Sequence, residues 1–447
     1  MSHTDAKSGE RAKAADEIEP SNVQQDPWPW NRYSQRDRRV FMFVLFFVGA
    51  INYADRNVIG VLLEQIKTEF HVSDTTLGLL SGISFALIYA TLGIPVARWA
   101  DRGDRKIVIT LCLSVWSLMT VLCGFAMTFW QLAAARFGVG AGEAGAIPPG
   151  QSLLADYYPP DQRARAIGVF MMSSTAGYAL GLVLGGFVAQ HYGWRAAFVT
   201  FGLSGLVLVP LTHLTLKEPR RAPQFARPLE NVESTVGAIY ALLAKPAYRN
   251  ILGAMVLLFF ISYGSLVFIV SLMIRVHGMN VAQAGALYGA ISAVGGVIGA
   301  VGGGALADRL AARDIAWLSR VAAGGLIVSV PLYELALWSS NPVLMAPLFL
   351  VATVVLTSVA PPAFSAIHVV CGSSRRALAI ALVYFFANLF GLGLGPVVAG
   401  ALSDTLAVDY GPGEGLRRAL MIVTGVLLPA GWLMWRAGQF LKENAES

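Results

Sequence analysis

Twelve stretches of mainly apolar side chains, each about 20 residues or longer, follow one another along this sequence, and a run of that length is what a helix needs to cross a bilayer. They lie near 39–63, 76–98, 106–126, 128–154, 164–190 and 195–215, then near 249–276, 282–307, 315–338, 343–370, 376–402 and 417–438. Inside lipid the backbone must satisfy its own hydrogen bonds, so repeated runs of this length predict helices rather than an open sheet. The composition agrees. Of 447 residues 55% are hydrophobic and only 13% charged, and the mean hydropathy is +0.60. The 46 glycines suit helices that pack closely in a membrane.

The remaining segments are short and polar. Residues 1–38 read as a disordered tail with an interfacial lead-in, where Trp28, Trp30 and Tyr33 stand beside Arg32, Arg36, Arg38 and Arg39. No signal peptide is expected, because a long stretch of mixed charge precedes the first apolar run. Six spans then fill 39–215, a polar loop covers 216–248, six more spans fill 249–438, and 439–447 form a tail. Lys and Arg concentrate in alternate loops, among them Arg98, Arg102, Arg105 and Lys106, then Arg163 and Arg165, Arg309 and Arg313, and Arg375 and Arg376. The loops between them carry almost none. The positive-inside rule therefore predicts a multi-pass protein of the plasma (inner) membrane with both termini and the central loop cytoplasmic. The net charge of +6 is spent on these loops and does not call for a nucleic-acid partner. Cys112, Cys123 and Cys371 show neither metal-ligand spacing nor a disulfide framework.

The two sets of six spans repeat each other. Asp101-Arg102 after the second span answers Asp308-Arg309 after the eighth, at an offset of 207. Pro148-Pro149 answers Pro361-Pro362 at 213, and Gly177-x3-Gly181 answers Gly391-x3-Gly395 at 214. Parallel repeats of this kind build transporters whose substrate path runs between the halves.

One polar stretch breaks the first apolar run: Asn52-Tyr53-Ala54-Asp55-Arg56-Asn57. Charged groups at that depth normally face a cavity or each other. In the fourth span Arg136 and Glu143 stand seven apart, so they share a helix face, and Gly140 clears bulk between them. Asn52, Asp55 and Arg56 are expected to share one face of the first span. Two acids and two bases cancel, as a purely structural brace also would. The same set could instead bind substrate or carry a proton. An acid that meets an arginine in one conformer and not in another binds its proton with different affinity in the two, and that biases the conformers. Asp55 and Glu143 are the candidate carriers, and Arg56 or Arg136 could alternatively receive an anionic headgroup. Lone polar residues elsewhere mostly bond neighbouring helices.

The twelve spans, the long central loop and the two Asp-Arg loops resemble the major facilitator superfamily over essentially the whole chain beyond the tail. The first loop keeps Asp101, Arg102, Arg105 and Lys106 of the superfamily pattern, with Ala97, Trp99 and Asp104 where glycine, leucine and glycine are usual. Gly177 to Gly186 is similar to the fifth-span motif of antiporters, with Leu182 in place of its proline. Ile51-Asn52-Tyr53-Ala54-Asp55-Arg56 with Gly60-Val61-Leu62, and Arg136-x3-Gly140-x-Gly142-Glu143, look most like the Spinster group of lysolipid and sphingolipid transporters. Asn-Tyr-x-Asp-Arg also occurs in organic-anion and sugar-phosphate carriers.

The resemblance implies an all-α membrane protein of twelve transmembrane helices in two six-helix bundles related by pseudo-two-fold symmetry. It implies that Asp101, Arg102, Arg105, Asp308 and Arg309 form a cytoplasmic gate, and that Tyr263, Tyr384 and Asn388 line the path. The expected function is alternating-access transport of an amphipathic, lipid-like substrate, with protons as a candidate coupling ion. A monomer is expected, with membrane lipids around it and no cofactor. A small organic-anion or drug transporter is the alternative, and a non-transporting receptor is a further one. A chain without a Walker sequence, a metal-ligand cluster or a nucleophile–base pair is not expected to be an enzyme.

Overall fold

The computed structural model describes residues 29–145, 147–219, 235–372 and 375–444. The tail before residue 29 and most of the central loop, on which two sequence expectations fall, lie outside the described residues. Among the described residues the chain is all helix and connection. The first half comprises α1 (Gln35–Phe70), α2 (Asp74–Ser81), α3 (Ile83–Arg102), α4 (Arg105–Gly124), α5 (Phe129–Glu143), α6 (Ile147–Tyr157) and α7 (Pro160–Thr215). The second half comprises α8 (Thr235–Ala244), α9 (Pro246–Phe259), α10 (Ile269–His277), α11 (Val281–Ala311), α12 (Trp317–Trp338) and α13 (Pro342–Thr357). It ends with α14 (Ala360–Cys371), α15 (Arg376–Phe386), α16 (Gly393–Tyr410), α17 (Pro412–Thr424) and α18 (Leu427–Asn444).

Ten helical stretches are long and apolar enough to cross a membrane. Two more crossings hide from that count. The 56-residue α7 turns back at Gly193, whose φ of 84° suits glycine, so its two arms make two crossings. The α5–α6 pair makes one crossing interrupted after Glu143. The structure is thus consistent with the twelve spans read from the apolar runs.

Helix starts follow local chemistry. Ser34 caps α1, accepting from the Asp37 N–H while the Asp37 carboxylate accepts from the Ser34 N–H, and Thr128 and Asn280 make the same reciprocal cap with Gln131 and Gln283. Gly278, at φ 64°, ends α10.

Small residues set the helix spacing. Gly177 and Gly181 of α7 lie directly on the backbone of Ala50 and Ala54 of α1, so the glycine stripe of the fifth span holds its own bundle together. Two other seams join the halves. Gly78 of α2 abuts the Pro396 carbonyl of α16, and Gly400 of α16 abuts the Asp74 backbone. Gly285 of α11 abuts the Leu182 carbonyl of α7, and Gly186 lies against Val281. Both seams lie toward the end of the molecule away from where α1 begins and α18 ends. The halves are therefore closed at this far end, and the space between them lies toward the terminal end.

Candidate functional site

That space is a cavity of about 610 Å³. Arg56, Gln151, Tyr263, Tyr384 and Asn388 are its polar wall, while Met171, Ile380 and Phe385 are among its apolar residues. It draws on both halves. Two wide π-helical turns, Phe260–Ser265 and Ala387–Leu392, interrupt the helices on its second-half side, and interruptions of this kind re-aim side chains. Asn388 sits in one of them and donates to the Tyr384 carbonyl at 2.8 Å. The Phe259 ring stacks on Tyr263, with centroids 5.4 Å apart, and tilts against Tyr384 at 6.1 Å. The three residues expected to line the path thus stand together on one wall. Gln151, also on the wall, was not singled out in the sequence because one amide in an apolar run carries no pattern.

The polar stretch of α1 divides in two. Asn52 and Asp55 are fully buried inside the first bundle, while Arg56 turns toward the cavity. The expectation that all three share a face is corrected here. Positions 52 and 55 are three apart and lie on one face, but adjacent residues point about 100° apart on a helix of 3.6 residues per turn. Arg56 reaches across to α5 and binds Glu143 through Nε at 2.9 Å and Nη2 at 2.7 Å, both to the same carboxylate oxygen. The Tyr53 ring lies 5.5 Å from the guanidinium. Asp55 accepts from Thr120 of α4 at 3.3 Å. Arg136 donates to the Asp55 backbone carbonyl at 3.3 Å rather than to its carboxylate. Of the four charges, then, only Arg56 and Glu143 form an ion pair.

The gate residues are distributed differently from each other. Asp101 and Arg102 close α3, and their side chains lie outside the described residues. Asp308 and Arg309 are exposed near the end of α11. Arg105 is fully buried and bound within its own half, to Glu218 at 2.6 Å, Asp156 at 2.6 Å and Ser152 at 2.9 Å. It stands at the start of α4, where its backbone N–H also donates to Glu218 at 2.8 Å. In this conformation Arg105 ties the ends of three spans of one bundle together and does not reach the other half.

The strongest charged link between the halves was not foreseen. At the far end, Arg275 of α10 bonds Glu64 of α1 and Asp74 of α2, each at 2.7 Å. Lys67 reaches Asp74 at 2.6 Å, and Ser403 of α16 donates to it at 2.7 Å. Asp404 of α16 accepts from the first N–H groups of α2, those of Asp74 at 2.9 Å and Thr75 at 2.8 Å, and so caps that helix from the opposite half. No repeat or spacing marks these residues, because the pairs they make are between loop ends far apart in sequence.

Two pseudo-symmetric bundles closed at one end around a polar-headed cavity are the architecture of an alternating-access transporter. The Major Facilitator Superfamily signature matches residues 45–396, and the chain belongs to that superfamily. It is a multi-pass membrane transporter, not an enzyme. A relative described as an MFS-type efflux pump, from Mycolicibacterium smegmatis, is 34% identical over 401 residues, covering 90% of this chain and 92% of the relative. Protein spinster homolog 1 of Xenopus tropicalis is 28% identical, covering 92% and 82%. Among solved structures, a bacterial homologue of the human lysosomal transporter Spinster, inward-facing and unoccupied, superposes with a TM-score of 0.83 at 29% identity. That match covers 93% of this chain and all of the other. The chain is thus a facilitator-superfamily transporter related to the Spinster proteins.

Proposed function

We propose that this protein carries an amphipathic, anionic, lipid-like molecule across the membrane and that the structure is open toward the cytoplasm. The observation that carries this reading is the cavity itself. Its cationic feature is Arg56, and much of the remaining wall is aromatic or aliphatic. A molecule with one anionic head and a long apolar body matches that wall, whereas a sugar or dicarboxylate calls for more hydrogen-bonding groups. The relationship to Spinster proteins, whose plant members are described as probable sphingolipid transporters, supports the same substrate class. Both termini are cytoplasmic on this reading, in accord with the basic loops. One chain encloses the cavity, so a monomer suffices.

Coupling follows from the Arg56–Glu143 pair. An anionic head that takes the guanidinium releases Glu143, which then accepts a proton rather than remain an unpaired buried charge. Asp101, Arg102, Asp308 and Arg309 would brace the cytoplasmic ends when the far end opens. A small organic anion or drug is the second reading, favoured by the likeness to the efflux pump.

Reconstitution in liposomes separates the two. Labelled lysophospholipid is expected to be transported, and to compete with any small anion that is. Transport of small anions that lysolipid leaves unaffected would overturn the lipid reading.

A further inference from the structure

Inside the first bundle, apart from the cavity, seven buried side-chain polar atoms have no protein partner. They are both amide atoms of Asn52, Asp55 Oδ1, Trp116 Nε1, Ser117 Oγ, Arg136 Nε and Glu143 Oε1. They belong to six residues on three helices, α1, α4 and α5, and each of these residues is almost completely buried. Thr120, one turn beyond Trp116, already donates to Asp55, and Trp116 is a further side-chain neighbour of that carboxylate. Gly142 lets the Trp116 backbone pack directly on α5 beside Glu143. Donors and acceptors alternate in this set, and Asn52 and Ser117 can each do both. Buried groups of this kind are satisfied by ordered water, which needs a polar site with several partners.

We infer that Asn52, Trp116, Ser117 and Thr120 form a hydrated chamber within the first bundle that passes a proton between Glu143 and Asp55. The inference rests on the proton-coupled reading above and names the residues and route that coupling would use. Arg56 is the door. While it holds one oxygen of Glu143, the other oxygen faces the bundle interior without a partner. When an anionic head draws Arg56 away, Glu143 takes a proton from the cavity. It then yields a proton from Oε1 to chamber water, the water yields one to Asp55 Oδ1, and Glu143 returns as a carboxylate to Arg56. One proton moves and nothing is oxidised or reduced. The charged and titratable groups facing Asp55 are Arg136 and Glu143 of α5 and, from α4, the Cys123 thiol. Asp55 itself lines neither the cavity nor the smaller pocket above Arg56, so a route from the cavity must cross this interior.

The test uses the full-length protein in liposomes. X-ray radiolysis labels buried side chains that touch bound water, so Trp116 is expected to be labelled in the unaltered protein and at least fivefold less in Asn52→Leu. The same variant is expected to retain substrate exchange within about twofold and to lose at least tenfold in uptake driven by a proton gradient. Ser117→Ala, a smaller change, is expected to give a weaker loss of the same kind should Asn52→Leu fail to fold. An unlabelled Trp116, or full gradient-driven uptake in a folded Asn52→Leu protein, overturns the chamber. If the unaltered protein moves substrate without protons, the coupling reading falls and the relay falls with it, even where Trp116 labelling shows that the water is present.

Discussion

Arg275 binds Asp74 through two contacts of 2.7 Å, one to each carboxylate oxygen, joining residues from opposite halves of the molecule. Both side chains are nearly buried, at 8% and 2% exposure. Removing one partner of such a pair leaves a charge without compensation, at a cost of roughly 3–5 kcal/mol. That cost applies only while the far end is closed, because opening it returns the carboxylates to water. Arg275→Gln is therefore expected to shift the protein toward the conformer open at the far end. A shift of this size is enough to invert an equilibrium of a few kcal/mol. Distances between spin labels on the far ends of the two halves check it, and an unchanged distribution would show that Arg275 does not hold the closed state.

Glycine packing closes the same seam by geometry instead of charge. A β-carbon at Gly400 would meet the Asp74 backbone, which cannot yield as a flexible side chain would. Gly400→Val is expected to wedge α2 from α16 and to give the same shift in label distances as Arg275→Gln. Both contacting elements belong to different halves, so the packing inside each bundle stays intact. A variant that melts early with unshifted distances would place the contact in folding and not in closure.

Arg105 offers the opposite pattern. Its carboxylate partners, Asp156 and Glu218, are in its own half. Arg105→Gln is expected to lower stability by roughly 3–5 kcal/mol, the cost of leaving buried carboxylates unpaired. The balance between conformers should stay where it was. Melting in detergent beside the label distances measures both. A shift in distances at unaltered stability would restore Arg105 to the gate.

The contrast shows where the sequence is legible. Span number, the two halves and the buried polar stretch of α1 follow from run length, offset and the expense of charge in lipid, all of which a linear chain displays. Direction is less visible. Asp55 and Arg56 are neighbours in sequence, yet one is sealed in the bundle and the other faces the cavity, and which way the helix turns depends on what packs against it. The Asp-Arg repeat suggested one role for both loops, but Arg105 found its partners through the ends of α6 and α7, which the repeat does not encode. The far-end lock was invisible, because Arg275, Asp74 and Asp404 read as ordinary loop charges until folding brings them together.

The loop charges make a prediction about sidedness. Epitope tags at either terminus, or after residue 220, are expected to be protected in intact cells and reached only after permeabilisation. Labelling any of them from outside would invert the assignment and place the cavity mouth on the outer face.

Asp55 decides between a brace and a carrier. Its carboxylate accepts from Thr120 at 3.3 Å, and Arg136 bonds its backbone carbonyl, not its side chain. An asparagine at this position can still accept from Thr120 and has nearly the same volume, so Asp55→Asn mimics a permanently protonated acid. If Asp55 carries a proton, the variant is expected to melt within about 1 kcal/mol of the unaltered protein, the scale of one net hydrogen bond. Substrate binding and exchange should persist, while the pH dependence of the conformational equilibrium and gradient-driven uptake should both be lost. If Asp55 serves instead to balance Arg136, the substitution strands a buried guanidinium. Stability then falls by several kcal/mol, and the pH response stays as it was because Glu143 is untouched. Thermal melting beside label distances recorded across a pH series reads both outcomes in one preparation. An early-melting variant with the original pH response would remove Asp55 from the proton path and leave it as part of the structural core.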